Sequence, residues 1–171
     1  MTGGAAFALD IETRALEAPS DHADGLRLWL RILACANLIE GDLRRRLRAE
    51  FGVTLPRFDL MAQLERAPGG MTLSELSRRM MVSNGNLTAL VERLVRSGHV
   101  TRAPSPDDRR AQIIRLTRPG RREFAALAAA HGGWIGEAFA DLSARDTADL
   151  SRLVAKAKAS ARRAFDRRQT T

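Results

Sequence analysis

Apolar positions recur at the three-to-four-residue spacing of amphipathic helices in six stretches, with one ribbon-like interruption after the fourth. The central pair carries the most information. Thr72-Leu73-Ser74-Glu75 has the spacing of a capping box, in which the Thr hydroxyl and the Glu carboxylate each satisfy an otherwise unpaired backbone N–H. Leu73, Leu76 and Met80 then share one helical face. A second helix opens at Ser83 or Asn84, with Leu87, Leu90, Val91, Leu94 and Val95 at i, i+3, i+4, i+7 and i+8. Gly98 follows as its left-handed cap. Residues 99–103 and 111–117 read as strands around 104–110, a segment too proline-rich and too charged for a core.

The flanks are helical. A long helix is expected over residues 25–50, with Leu26, Trp29, Leu30, Leu33, Leu43 and Leu47 mostly on one side and a basic cluster at Arg44, Arg45, Arg46 and Arg48. Pro56 opens the next helix, where its missing N–H costs nothing; Phe58, Met61 and Leu64 form the apolar face, and Pro68-Gly69-Gly70 stops it. After the ribbon, Phe124, Leu127, Ala128, Trp134, Ile135, Ala138 and Phe139 mark a fifth helix, loosened or bent near Gly132-Gly133. Ser143 or Asp146 begins a sixth, striped by Leu150, Leu153, Val154, Ala157, Ala161 and Phe165. The fold class is therefore mainly α: a winged helix-turn-helix with a small antiparallel β-wing and flanking N- and C-terminal helices. Two angled helices followed by a hairpin form a unit built to meet a DNA duplex.

At about 100° per residue, the second central helix turns Gly85, Ala89, Glu92, Arg93 and Arg96 away from its apolar stripe, flanked by Asn86 and Thr88. Amides and a hydroxyl at Asn84, Asn86 and Thr88 suit base edges in the major groove, Asn in particular adenine. Ser83 and the free N–H groups of the first turn suit a phosphate. An ordinary solvated helix face has the same polarity, so the wing decides. Between residues 99 and 122 stand Arg102, Arg109, Arg110, Arg115, Arg118, Arg121 and Arg122, against Asp107 and Asp108 only. Arginine at a hairpin tip can enter a narrow minor groove, and a neighbouring Asp can hold one guanidinium in place.

Composition agrees and adds boundaries. The 171-residue chain has a formal net charge of +8, which favours a polyanionic partner. Residues 1–24 run the other way, with five acidic residues against Arg14, and read as a flexible acidic arm. Residues 53–117 form the DNA-binding region; 25–52 and 118–168 form a helical dimerisation region, all within one compact domain. Their apolar stripes exceed what so small a DNA-binding unit needs, and a twin copy is the economical cover. A homodimer would read a pseudo-palindrome with half-sites roughly 10 base pairs apart. No spanning apolar run or leader is present, so a cytoplasmic location and no membrane partner are expected. His22, His99 and His131 are far apart, with no metal-binding rhythm, and neither a phosphate loop nor a nucleophile elbow is found. An enzyme, a metal site and a cofactor are not expected.

Asp108-Arg109-Arg110-Ala111 followed by Leu116-Thr117 resembles the wing signature of the MarR family of bacterial transcriptional regulators. Residues 73–77 and 82–88 resemble that family's helix-turn-helix, and the likeness runs from about Gly25 to Phe165. It implies that Asp108 braces Arg110, that Arg110 reaches the minor groove, that 83–88 begin the recognition helix, and that Arg78 and Arg79 lie near phosphates. The expected DNA-binding set is Arg78, Arg79, Ser83, Asn84, Asn86, Thr88, Arg93, Asp108, Arg109 and Arg110.

MarR-like proteins commonly release DNA on binding a small molecule, often an aromatic acid. Trp29, Arg31 and Cys35 on the first helix, Arg57, Phe58 and Met61 on the second, and Arg121 and Phe124 on the fifth are the candidate lining. The segments 29–40 and 55–61 resemble regulators of hydroxycinnamate breakdown that sense aryl-coenzyme A thioesters. An aromatic wall with guanidinium groups suits an arylcarboxylate or such a thioester; plain core is the competing role for Trp29, Phe58 and Met61. Cys35, a lone thiol amid helical apolar residues, reads as an inert small hydrophobe; some MarR relatives sense peroxide through a first-helix cysteine supported by tyrosines, and this chain has no tyrosine. The expected function is a homodimeric repressor released from its operator by an aromatic acid or aryl-coenzyme A thioester. A MarR-type regulator of stress or drug resistance with another phenolic effector, and an effector-independent DNA-binding protein, remain as alternatives.

Overall fold

The computed structural model describes residues 23–105 and 111–169. They form two compact units, one within residues 1–134 and one within 135–171. The first opens with α1, Ala23–Phe51, a run of Ala, Leu and Arg without proline. Its surface carries pairs at helical spacing: Arg44 with Glu40, Arg45 with Asp42, and Arg46 with Asp42 at 2.8 Å. The N–H of Val53 returns to Leu47 O at 3.1 Å to close the helix, and α2, Leu55–Glu65, starts with proline in its first turn.

Thr72 then serves two elements. It ends a two-residue strand, β1, Met71–Thr72, and caps α3, Leu73–Met80. The expected capping box is complete: the Glu75 N–H donates to Thr72 Oγ1 at 3.2 Å, and the Thr72 N–H donates to Glu75 Oε2 at 2.8 Å. These bonds hold the Glu75 carboxyl below its ordinary pKa, the Thr72 backbone donor acting most strongly and the Thr72 hydroxyl next. After a short turn comes α4, Asn84–Arg96. Gly98, at φ 73°, terminates it: the Gly98 N–H donates to Val95 O and the His99 N–H to Leu94 O, both at 2.9 Å.

The wing consists of β2, Val100–Pro104, and β3, Gln112–Leu116, antiparallel from Val100↔Leu116 to Pro104↔Gln112. The sequence pattern predicts two strands, whereas the sheet has three, in the order β1-β3-β2. The extra strand joins through Met71↔Ile114 and Thr72↔Ile113. Two residues are too few to display alternation, so no pattern reveals it.

Next is α5, Arg118–Ala138, which passes without a break through Gly132 and Gly133. The loosening expected there is not found, because a glycine weakens a helix without removing its N–H donor. Thr117 links this helix to α4: its hydroxyl donates to Gly98 O at 2.7 Å and accepts from the Gly120 N–H at 3.0 Å. The core gathers Leu47, Leu60, Met61, Leu64, Leu76, Leu87, Leu94, Ile114 and Leu127, all essentially inaccessible.

The second unit contains the end of α5 and α6, Ala144–Gln169. Ser143 and Asp146 cap α6 reciprocally, and the bonds from Ser143, its hydroxyl first, lower the Asp146 carboxyl from its ordinary value. Leu150, Leu153, Val154 and Phe165 on α6 are exposed; in the first unit Leu26, Leu28, Trp29 and Leu38 on α1 are exposed. No helix among the described residues is long and apolar enough to cross a membrane.

Candidate nucleic-acid interface

Helix α4 divides by polarity. Leu87, Leu90, Val91 and Leu94 face the core, while Asn84, Gly85, Asn86, Ala89, Glu92, Arg93 and Arg96 are exposed. Ser83 occupies the N-cap position, but its side chain makes no capping bond, so an exposed hydroxyl and the first-turn N–H groups stand together. Thr88 differs from expectation in one respect. Its hydroxyl donates to Asn84 O at 2.8 Å, so toward a base edge it retains acceptor capacity only. Arg78 and Arg79 are exposed in the last turn of α3. The hairpin closes with the Ser105 N–H on Ala111 O at 2.9 Å. Asp108, Arg109 and Arg110 lie outside the described residues. Of the other wing arginines, Arg102 is exposed, and Arg115 donates from Nε to Gly69 O at 2.7 Å, tying β3 to the turn before β1.

The candidate effector residues fall into two groups. Arg57, Phe58 and Phe124 come together where α2 meets α5. Phe58 lies 5.6 Å from Phe124 and stacks on His131, a residue the sequence analysis left unused. Burial pushes the His131 imidazole below its ordinary pKa. Arg57 Nη2 donates to both Glu123 oxygens, at 2.8 and 2.6 Å, while its enclosed Nε–H has no partner among the described residues. His99 Nε2 lies 3.1 Å from the same carboxylate. Met61 is fully enclosed core. Trp29, Arg31 and Cys35 stand exposed on α1, as does Arg121 on α5. Cys35 is therefore exposed among the described residues rather than enclosed, although its neighbour Ala34 is buried.

Single-sequence reasoning missed Glu123 and His99, because a pair 66 positions apart leaves no local periodicity. It also missed a cavity of about 570 Å³ beside α4, lined by Arg44 and Arg48 of α1, Thr54, Leu55 and Pro56, Met80 and Val82, and Asn86, Leu87, Ala89, Leu90 and Arg93. Its lining combines three arginines with mostly apolar side chains. The arginine cluster on α1 was visible in the sequence; its convergence with α4 was not. A smaller cavity of about 360 Å³ lies along α2, with Asp59, Arg66, Arg79 and His131 among its walls. Burial raises the Asp59 carboxyl above its ordinary pKa, and the Glu40 charge adds to this.

A recognition helix with an exposed amide-and-arginine face, crossed by α3 and followed by a β-hairpin, defines a winged helix-turn-helix DNA-binding protein. The model of the MarR family matches residues 51–111. The chain is 35% identical over 123 residues, 70% of each protein, to the transcriptional activatory protein BadR of Rhodopseudomonas palustris. The crystal structure of a MarR family transcriptional regulator from Silicibacter pomeroyi superimposes with a TM-score of 0.71 at 35% identity, covering 83% of this chain and 99% of that one. A mutant MarR from E. coli complexed with operator DNA gives 0.70 at 25% identity, covering 81% and 99%. The chain belongs to the MarR family and is a DNA-binding transcriptional regulator. These relatives are regulators, not enzymes, in agreement with the sequence analysis.

Proposed function

We propose that the protein acts as a homodimeric repressor of a pseudo-palindromic operator and is released from it by an aromatic acid or an aryl-coenzyme A thioester. The carrying observation is the uncovered apolar surface of the protomer: Trp29 and Leu38 on α1, and Leu153 and Phe165 on α6, are all more than half exposed. Apolar surface in water is disfavoured by about 25 cal/mol per Å², and a second copy supplies a matching cover. Sedimentation at micromolar concentration is expected to give a dimer; a stable monomer overturns the proposal.

For the effector, the supporting arrangement is Arg57 beside Phe58, Phe124 and His131, an aromatic patch with a guanidinium at its edge. The ligand must bind the DNA-incompetent spacing of the two recognition helices more tightly than the competent one. Trp29, Arg31, Cys35 and Arg121, exposed on α1 and α5, are the further proposed ligand-facing residues; Met61 is left to the core. Calorimetry with p-coumaroyl- or feruloyl-coenzyme A is expected to give binding heat and, in parallel, loss of operator binding.

Two observations favour variants of this reading. The cavity beside α4 shares Asn86 and Arg93 with the proposed DNA-binding face, which favours an anionic ligand that competes directly with DNA. The name of the Rhodopseudomonas palustris relative favours activation as the sign of control. A competitive ligand raises the apparent operator Kd in proportion to its concentration, and a reporter gene reads the sign.

A further inference from the structure

Met81 ends α3 in the left-handed region, at φ 54° and ψ 39°. Among the described residues it is the one with a side chain at positive φ. A Cβ in that conformation crowds the neighbouring carbonyl, which is why glycine or asparagine usually takes the place. The Met81 N–H makes the cap bond to Ser77 O, but no packing among the described residues holds the side chain: the residue is 91% exposed, the most open of the large apolar residues described. The turn that carries it is tied down. The Val82 N–H donates to Ser77 O at 3.2 Å, and Ser77 Oγ donates to Val82 O at 2.6 Å. On either side in the chain stand the exposed residues Arg78, Arg79, Ser83 and Asn84. A strained backbone, an unburied thioether and a rigid mount together favour a contact made outside the chain, at a functional face.

We propose that Met81 is a DNA-contacting residue whose thioether packs on the apolar edge of the duplex beside α4. An unbranched, polarisable side chain suits that role, and the thymine methyl and the deoxyribose are the apolar groups a duplex offers there. Such a contact releases no counterion. It adds affinity without adding salt dependence, unlike the arginines two and three residues before it.

The test uses the full-length protein and a duplex selected by it from a randomised pool. Met81→Gly removes both the crowding and the thioether; Met81→Ala removes the thioether alone. Both variants are expected to bind about three- to tenfold more weakly, less than a base-reading bidentate pair can be worth, with the slope of log K against log[salt] unchanged. Met81→Gly, but not Met81→Ala, is expected to raise the melting temperature. Single thymine-to-deoxyuridine replacements identify the edge: a loss seen with the parent protein and absent with Met81→Ala assigns a thymine methyl, and no such position assigns deoxyribose. Parent-like affinity in both variants, weakening in Met81→Gly alone, or a reduced salt slope overturns the proposal.

Discussion

Phe58 stacks on His131 with ring centroids 4.5 Å apart and planes inclined by 18°. This contact joins the middle of α2 to α5 and covers one face of the imidazole. Because burial lowers the His131 pKa in the folded state, the unfolded chain takes up its proton first as the pH falls. Stability from this site is complete above the ordinary histidine value of about 6.5 and is lost as the pH falls through the lowered folded value. Asp59, raised above its ordinary value, acts in the opposite sense, favouring the folded state as the pH falls. The melting temperature is therefore expected to drop between pH 7.5 and 5, and His131→Phe to flatten that drop. Equal pH profiles for parent and variant contradict the assignment.

Removal of the Thr72 cap tests the entry to α3. Thr72→Ala deletes the hydroxyl that accepts from the Glu75 N–H, and a loss of about 1 kcal/mol is expected in urea denaturation at pH 7. Glu75 is held below its ordinary value of 4.5, so its share is present above that value and disappears as the pH falls through the lowered one. Glu75→Gln and parent are expected to converge in stability in acid.

A methyl group at Gly120 has no room. An added Cβ would sit 2.0 Å from His99 O, where α5 crosses the root of the wing. Gly120→Ala must separate the two, at a cost of about 1–3 kcal/mol or more, read as a shift in denaturation midpoint. A neutral result means that this junction gives way more readily than its packing implies.

The local parts of the fold were legible in the sequence because local chemistry sets them. The Thr72–Glu75 box, the stripe from Leu87 to Leu94 and the Gly98 stop each depend on residues within one or two turns. What stayed hidden depends on pairings across the chain. Strand β1 exists because Met71 meets Ile114, and Arg57 is engaged because α5 brings Glu123 to it. Thr88 was assigned to the DNA face by helical phase, but phase does not reveal that its proton is used on Asn84 O. The continuity of α5 through its glycine pair is likewise hidden from propensity, because each glycine keeps the N–H that the helix ladder needs.

Charge and amide contacts on the proposed DNA face separate by their salt dependence. Arg78→Ala is expected to lower the salt slope of operator binding by about one unit and to weaken all sequences alike. Asn86→Ala is expected to spare the slope and relax sequence preference. Equal losses on specific and random duplexes for Asn86→Ala contradict its role in base reading.

Hydroxyl-radical footprinting on the DNA upstream of the protein's own gene, at low ionic strength, bears most directly on a paired reader of two adjacent grooves. Two protected half-sites related by two-fold symmetry, centred about 10 base pairs apart and filled by two protomers, are expected. A single half-site occupied by one protomer, or protection spread evenly regardless of sequence, contradicts it.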